Sequence, residues 1–252
     1  MGEIMKVLIT GASSGIGKDI ARIYSQKGYS LILVARNEQK LKEAQKEFGN
    51  ETKIISMDLS IESNCKKLFN ENKDIDILIN NAGFGTCGEF TQTNLDKEIK
   101  MINTNITAYH ILTKLYLTEM VKNNKGKILN VASIAGFMPG PLMATYYSTK
   151  SYVVKLSESI REELKRKKST VQISILCPGP VETNFNKVAD VEFNVKGLSS
   201  EYVAKYAISK FEKGKFYIIP GFQIKLVKIG SKISPTNLVS KISYKMQKRK
   251  IQ

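Results

Sequence analysis

Tyr146 and Lys150 are the two residues of this 252-residue chain whose types and spacing best suit acid–base chemistry. A phenol with its ordinary pKa of about 10 exchanges protons poorly at neutral pH, and a neighbouring ammonium favours its ionised form. Four residues apart on a helix, the two side chains share one face. The pair therefore predicts a tyrosine whose pKa is lowered by a lysine and which can donate a proton to a carbonyl oxygen.

Ser133 and the single histidine indicate what other chemistry the chain can carry. Ser133 follows a predicted strand, and its hydroxyl could bind the same substrate oxygen as Tyr146. His110 lies in an apolar, helical stretch where a structural role is expected, and no nucleophile elbow accompanies it. Three widely spaced cysteines offer too few ligands for zinc, so no metal site is expected. Reduction of a ketone by a hydride donor fits these residues better than hydrolysis does.

A glycine-rich turn at residues 10–17, Thr-Gly-Ala-Ser-Ser-Gly-Ile-Gly, follows the first predicted strand and opens a predicted helix. Glycines permit a tight turn and a close approach of backbone to ligand, and the free N–H groups of the new helix attract an anion. The spacing differs from G-x-G-x-x-G, but its place in an alternating β/α chain favours a dinucleotide site. The residues predicted to contact the dinucleotide here are Gly11, Ser13, Ser14, Gly15, Ile16 and Gly17.

The choice between NADP(H) and NAD(H) is expected to depend on Arg36, at the end of the second predicted strand. An arginine at this point suits a 2′-phosphate, whereas an acidic residue would bind the ribose hydroxyls of NAD. Glu38, two residues on, is a signal in the opposite direction. Asp58, next to Leu59, could accept a hydrogen bond from adenine, and it equally suits a turn or a helix cap. We therefore expect NADP(H) rather than NAD(H) as the cofactor.

Taken together, these motifs resemble the short-chain dehydrogenase/reductase family over nearly the whole chain. They are TGASSGIG at 10–17, NNAG at 80–83, the region of Asn105, Ser133, Tyr146-x-x-x-Lys150 and PGPVET at 178–183. Each is short, but their order and spacing are specific. The resemblance implies an oxidoreductase that reduces a ketone or a 3-oxoacyl-type substrate to an alcohol, reversibly, with NADPH as hydride donor.

The resemblance also assigns roles to individual residues. It implies that Lys150 binds the nicotinamide ribose and relays a proton, that Asn105 (rather than Asn103) holds a water in that relay, and that Tyr146 rather than Tyr147 is the acid. It implies a homodimer or homotetramer paired through two long helices. The remaining residues that it places along the cofactor are Asn81, Ala82, Gly83, Pro178, Gly179, Val181 and Thr183.

Buried, β-branched strands alternate with amphipathic helices along the chain, which predicts an α/β fold. We expect a Rossmann-like, doubly wound parallel sheet of about seven strands with helices on both faces. A long helical stretch at 95–122 is predicted to break near residues 103–105. The predicted strands are 6–10, 30–35, 53–57, 75–80, 127–132, 171–177 and 216–219.

The net charge of +16 is concentrated towards the C-terminus, which divides the chain into a body at 1–221 and a basic extension at 222–252. The extension has eight lysines and arginines and no acidic residue. Apolar residues at helical spacing predict two amphipathic helices there, the second starting at Ser234-Pro235. Such helices suit an anionic membrane surface or an acidic partner, although docking on the body with a solvated basic face is the simpler interpretation.

Several wider expectations follow from the sequence. No apolar run is long enough to span a membrane and no signal peptide is recognisable, so a cytoplasmic protein is predicted, with peripheral membrane binding as a variant. Nucleic-acid binding has no supporting motif.

The segment 183–200 is expected to be a fairly apolar substrate lid. Two rival functions are a catalytically silent NADP(H)-binding sensor and a membrane protein acting through its tail.

Overall fold

The computed structural model describes residues 4–49, 51–183, 185 and 197–248. Its central feature is a parallel sheet of seven strands in the order β3-β2-β1-β4-β5-β6-β9, beside a separate two-stranded sheet of β7 and β8. The strands are β1 (Lys6–Thr10), β2 (Ser30–Ala35), β3 (Thr52–Ser56), β4 (Ile77–Asn80), β5 (Lys127–Val131), β6 (Gln172–Leu176), β7 (Val181–Glu182), β8 (Leu198–Ser199) and β9 (Tyr217–Ile218).

Helices cover both faces of the sheet, as parallel strands buried on both sides require. A π-helical turn, Asn103–Thr107, joins α4 to α5, and a short 3₁₀ helix, Ile134–Phe137, follows β5. The α-helices are α1 (Gly15–Gln26), α2 (Glu38–Phe48), α3 (Glu62–Glu71), α4 (Leu95–Ile102), α5 (Ala108–Lys122), α6 (Ala144–Arg166), α7 (Ser200–Glu212), α8 (Phe222–Ile233) and α9 (Thr236–Lys248).

The strand order confirms the predicted doubly wound fold. Each parallel register in the main sheet is continuous, and side chains on its two faces form two separate buried clusters, one centred on Leu8 and Leu112 and the other on Ile9 and Phe211. The order reverses between β1 and β4, which lie side by side. In such sheets ligands bind at the carboxyl ends of the strands, beside this reversal.

Two local features differ from the sequence prediction, and a third, the predicted helix break, takes a specific form. The short β7–β8 sheet was not predicted, because two-residue strands carry no periodicity that a sequence could show. The predicted break near 103–105 is a π turn. The last helix begins at Thr236, not at Ser234-Pro235: Ser234 is the C-cap of α8, and the Pro235 carbonyl accepts from the N–H groups of Leu238 and Val239.

Part of the proposed lid lies outside the described residues. The apolar residues predicted there, Val188, Val191, Phe193 and Val195, belong to that part, whereas Phe185 is described and packs on the Tyr146 ring with 5.2 Å between centroids. Within the described ranges, none of the helices has the length and apolar character to cross a bilayer.

Buried amides connect the centre of the sheet to the helices behind it. The Asn80 side chain on β4 donates to Thr113 Oγ1 and to Asn130 Oδ1, both at 3.0 Å, and Asn130 Nδ2 donates to Ser157 Oγ at 3.0 Å. Asn130 and Ser157 are almost completely buried. Because buried polar groups cost free energy when they lose a partner, this network fixes β4 and β5 against α5 and α6.

We predict that Asn130→Ala lowers the free energy of unfolding by about 2–4 kcal/mol, since it leaves buried donors unpaired and opens a small cavity. Urea unfolding followed by circular dichroism measures this change. Asn123→Ala, at the exposed end of α5, is the matched control and should change stability by less than about 0.5 kcal/mol. Equal effects of the two substitutions would show that the network contributes nothing.

Candidate active site

A cleft of about 420 Å³ opens at the carboxyl ends of the strands, where the sheet order reverses. Its wall includes every residue that the sequence assigned to the dinucleotide or to catalysis except Gly17 and Asn105, which lie behind the wall. The cleft runs from the glycine-rich turn to the side chains of Ser133, Tyr146 and Lys150. The structure therefore brings the separate sequence motifs to one place.

The side chains of Thr10, at the end of β1, and Asn81, directly after β4, hold the glycine-rich turn in shape. Thr10 Oγ1 accepts hydrogen bonds from the N–H groups of Asn81 and Ala82, at 2.9 and 3.0 Å. Asn81 Nδ2 donates to the carbonyls of Thr10 and Gly11. A Cβ at Gly17 would lie 2.4 Å from Asn81 Nδ2, so only glycine fits there. Asn81 thus supports the turn from behind.

The N-terminus of α1 has the features of an anion site. Ser14, the N-cap, forms no side-chain capping hydrogen bond, and the first turn holds no acidic residue. The first N–H groups of a helix without such a cap are available to a ligand, and the helix dipole favours negative charge there. Gly15 has a φ of +55°, and a Cβ on it would lie 2.9 Å from Thr183 Cγ2. The free N–H groups at this helix start fit a diphosphate, and Thr183 packs directly against the turn.

Arg36 and Asp58 border the same end of the cleft. The Arg36 side chain is exposed. Asp58 Oδ1 accepts from the N–H and the hydroxyl of Ser60, and Oδ2 pairs with Lys100 Nζ at 3.1 Å. Burial raises the pKa of Asp58, but these hydrogen bonds outweigh burial and hold the pKa below its ordinary value. Asp58 therefore has the turn-forming role that the sequence left open, beside the cleft.

Tyr146 and Ser133 face each other at the other end of the cleft. Both are buried with 9% of their surface exposed, and the Ser133 hydroxyl lies close enough to the phenol to lower the pKa of Tyr146. Ser133 Oγ also accepts from the N–H of Ala135 at 3.1 Å, which fixes the hydroxyl at the end of β5. Two hydroxyls are thus held side by side, where one substrate oxygen can contact both.

Lys150 lies beneath the tyrosine, with its amine bound to the backbone of β5. Its Nζ donates to the Val131 carbonyl at 2.9 Å, and the Tyr109 hydroxyl donates to that same carbonyl at 3.0 Å. Lys150 Nζ is 6.0 Å from the centroid of the Tyr146 ring. Burial lowers the pKa of Lys150 to about 8. The amine therefore changes charge close to neutral pH.

The expectation that Lys150 lowers the pKa of Tyr146 does not hold in this structure. Burial raises the pKa of Tyr146 well above 10, and the Ser133 hydroxyl opposes this effect only in part. The physical reason is that the surroundings of both groups disfavour their charged forms, because each lies out of water.

Asn105 is completely buried inside the π turn, and its side chain is fully engaged. Its Nδ2 donates to the Phe84 carbonyl at 2.9 Å and to Thr149 Oγ1, and its Oδ1 accepts from the N–H of Phe84 at 3.1 Å. These bonds hold the segment after β4 next to Lys150. The approach is close, since a Cβ at Gly83 would lie 2.9 Å from Asn105 Oδ1 and 3.4 Å from Lys150 Nζ. The predicted water-holding role stays a prediction.

Tyr147, the rival to Tyr146, has a different environment. Its hydroxyl accepts a hydrogen bond from the side chain of Gln247 on α9. Ser243, one turn before Gln247, faces the same phenol. A Cβ at Gly140 would lie 2.1 Å from the Tyr147 ring, so this ring is also packed tightly from the other side. Tyr147 attaches the tail to the body.

Sequence reasoning missed the contribution of the tail to the cleft. Ser243 and Gln247 are four residues apart and share the buried face of α9, a spacing that the sequence shows. On α8, Ile224 packs against the turn after β6, since a Cβ at Gly179 would lie 2.5 Å from it. The tail residues that line the cleft are Ile224, Val227, Ser243, Met246 and Gln247.

Comparisons with known proteins agree with this geometry. A model of the short chain dehydrogenase family matches residues 5–192. An uncharacterized oxidoreductase of Staphylococcus epidermidis is 34% identical over 187 residues, which cover 73% of this chain and 80% of that protein. A very-long-chain 3-oxoacyl-CoA reductase of Rattus norvegicus is 34% identical over 193 residues, which cover 72% of this chain and 61% of that enzyme.

Among solved structures, a short-chain dehydrogenase from Sphingobium yanoikuyae in complex with NADPH is similar with a TM-score of 0.82 and 28% identity, over 87% of this chain and 89% of that one. The fold, the cleft and these matches together identify the chain as a member of the short-chain dehydrogenase family. It is an oxidoreductase of that family.

The lowered pKa of Lys150 makes a testable contribution to stability. Between its pKa of about 8 in the folded protein and 10.5 in the unfolded chain, the unfolded chain binds more protons, so stability rises with pH. Lys150→Met removes this dependence. We therefore predict that the stability of Lys150→Met relative to the parent falls by about 3 kcal/mol between pH 7 and pH 10.5.

Urea unfolding at a series of pH values measures this difference. Lys114→Met, at an exposed position on α5, is the control and should show a constant difference from the parent protein. A difference for Lys150→Met that is equally constant with pH would mean that the amine keeps its ordinary pKa.

Proposed function

We propose that this protein reduces a carbonyl group to an alcohol by hydride transfer from NADPH, reversibly. The observation that carries the proposal is one cleft that contains both the uncapped N-terminus of α1 and the paired hydroxyls of Ser133 and Tyr146. A ketone needs an anchored hydride donor on one side and a proton donor at its oxygen, and this cleft brings together residues suited to both.

The residues along the cleft fit a nicotinamide dinucleotide. The N–H groups at the start of α1 would hold its diphosphate, Arg36 would face the adenosine ribose, and Thr183 would lie near the nicotinamide amide. Lys150 and the segment from Pro178 to Val181 lie where the nicotinamide half would extend. When bound, the dinucleotide supplies the hydride and, in its oxidised form, a positive charge.

At the reacting carbon, the chain's own residues manage the proton. The Ser133 and Tyr146 hydroxyls donate to the carbonyl oxygen, which gains negative charge as the hydride arrives. Tyr146 then gives its proton to that oxygen. The resulting phenolate is stabilised by the Ser133 hydroxyl and by the charged form of Lys150, which lies 6.0 Å from the ring centroid. In the reverse direction, the phenolate accepts the proton of the alcohol.

The cleft wall around Tyr146 supports an apolar carbonyl compound as substrate. Side chains from four parts of the chain surround this end of the cleft, and most of them are apolar. A 3-oxoacyl thioester, the substrate class that one relative's name gives, combines such an apolar chain with a ketone. The apolar residues of this wall are Phe84, Met138, Met143, Phe185, Ile224, Val227 and Met246.

We predict that Tyr146→Phe lowers kcat by about 10²- to 10⁴-fold with a ketone substrate, because the proton donor is lost, while NADPH still binds. Oxidation of NADPH with a panel of ketones and 3-oxoacyl thioesters measures turnover, and titration of NADPH fluorescence measures binding. Tyr147→Phe removes only the hydroxyl bound to Gln247 and should keep kcat within about tenfold.

The reverse pattern, with turnover lost in Tyr147→Phe and kept in Tyr146→Phe, would refute the assignment of the acid. Binding of NADPH without turnover of any carbonyl compound would favour the silent sensor.

For the cofactor, we predict that Arg36→Ala lowers kcat/KM for NADPH by about 10- to 100-fold and leaves that for NADH nearly unchanged, because a charge-assisted bond to the 2′-phosphate is lost. Steady-state kinetics with both cofactors measure the ratio. Glu38→Gln is the control at the neighbouring acidic position. Equal losses with NADPH and NADH in Arg36→Ala would contradict the preference.

A further inference from the structure

The two tail helices, α8 and α9, bury polar residues and expose apolar ones. On α9 the buried residues are Ser243 and Gln247, whereas Leu238, Ile242 and Met246 are exposed by 50%, 51% and 56%. Surface helices normally do the opposite, with an apolar stripe facing the core. The outward face of α9 therefore exposes an apolar stripe that nothing in the described chain covers.

The first tail helix, α8, is turned in the same way. Its half-buried face carries Lys228, whose Nζ lies 3.0 Å from the centroid of the Tyr217 ring, and Ser231. With 3.6 residues per turn, its most exposed apolar residues fall in one stripe on the opposite side. They are Phe222, Leu226, Ile229 and Ile233, exposed by 73%, 51%, 57% and 79%.

Lysines accompany both stripes. Lys225 and Lys232 on α8, and Lys241 and Lys245 on α9, are exposed beside the apolar residues, and residues 222–252 contain no acid. The predicted basic face is therefore present, but it flanks an apolar stripe instead of forming the whole outer surface. Helices that lie in the interface of an anionic bilayer combine an apolar stripe with flanking lysines in this way.

We propose that the outward face of α8 and α9 is a docking surface for a membrane that contains anionic lipids. The charge favours this occupant over a second copy of the chain. A two-fold interface would bring the lysines of one copy against those of the other with no acidic residue in either tail, whereas anionic headgroups would neutralise them.

The docking surface adjoins the mouth of the active-site cleft. Val227 on α8 and Met246 on α9 are 42% and 56% exposed, and both also line the cleft. A bilayer against the tail would thus meet the cleft at its apolar edge. Docking itself does not depend on the proposed reductase activity, so the two proposals can fail separately.

Co-sedimentation of the full chain with lipid vesicles tests the proposal. One set of vesicles contains phosphatidylcholine alone, and the other contains phosphatidylcholine with about 30% phosphatidylserine. We expect binding only to the anionic vesicles, and weaker binding in high salt. Changing Lys225, Lys232 and Lys241 together to Gln should weaken the partition about 100-fold, since each lysine near such a surface contributes about fivefold.

The same substitution of Lys40, Lys114 and Lys213, exposed lysines on the body, is the matched control and should leave the partition nearly unchanged. Equal losses from the two triple variants, or no binding to either kind of vesicle, would overturn the proposal.

Fluorescence provides an independent readout, because the chain contains no tryptophan. Ile229→Trp places one on the outward stripe, and Leu95→Trp places one at an exposed apolar position of α4. Anionic vesicles should shift the emission of Ile229→Trp to the blue and leave that of Leu95→Trp unchanged. The same shift in both variants would mean that binding is not directed by the tail.

The second-copy alternative is tested without lipid. Leu226→Asn with Ile242→Asn should abolish vesicle binding and leave the sedimentation coefficient of the protein unchanged. A change in oligomeric state instead of in vesicle binding would assign the stripe to contacts between copies and refute membrane docking.

Discussion

The hydrogen bond from Lys150 Nζ to the Val131 carbonyl is the contact on which the active site depends. It joins the second turn of α6, which carries Tyr146, to the end of β5, and Ser133 follows β5 as the N-cap of the 3₁₀ helix. A lysine buried to this extent costs free energy in its charged form, and the low pKa of Lys150 reflects that cost. The amine nevertheless stays beneath the phenol because the carbonyl, shared with Tyr109, gives it a partner. The scaffold thus keeps a buried amine with a lowered pKa close to the reacting atoms.

The sequence predicted the fold and most of the cleft because both depend on local patterns. Alternating strands and helices determine a doubly wound sheet, and the four-residue spacing of Tyr146 and Lys150 sets them on one face. What it could not predict depends on distant contacts. Gln247 meets Tyr147 across 100 positions of the chain, and no pattern near either residue indicates the other. The balance of pKa values at Tyr146 likewise depends on burial, which spacing does not show.

The tail illustrates that helical periodicity alone does not show which face of a helix packs inwards. The apolar residues of α8 and α9 recur at helical intervals, as predicted, and such stripes normally face the core. Here the body is contacted through Ile224, Lys228, Ser243 and Gln247 instead. Amphipathicity identifies two faces of a helix, but only the structure of the body determines which of them points inwards.

The contact between Gln247 and Tyr147 also sets the order in which the cleft can be completed. The glycine-rich turn, Ser133 and the Tyr146–Lys150 helix are all synthesised before residue 170, ahead of β6, β9 and the two tail helices. The wall formed by α9 cannot close until residue 247 has left the ribosome. The substrate-side wall of the cleft is therefore the last part to be completed during synthesis, because it depends on the final described helix.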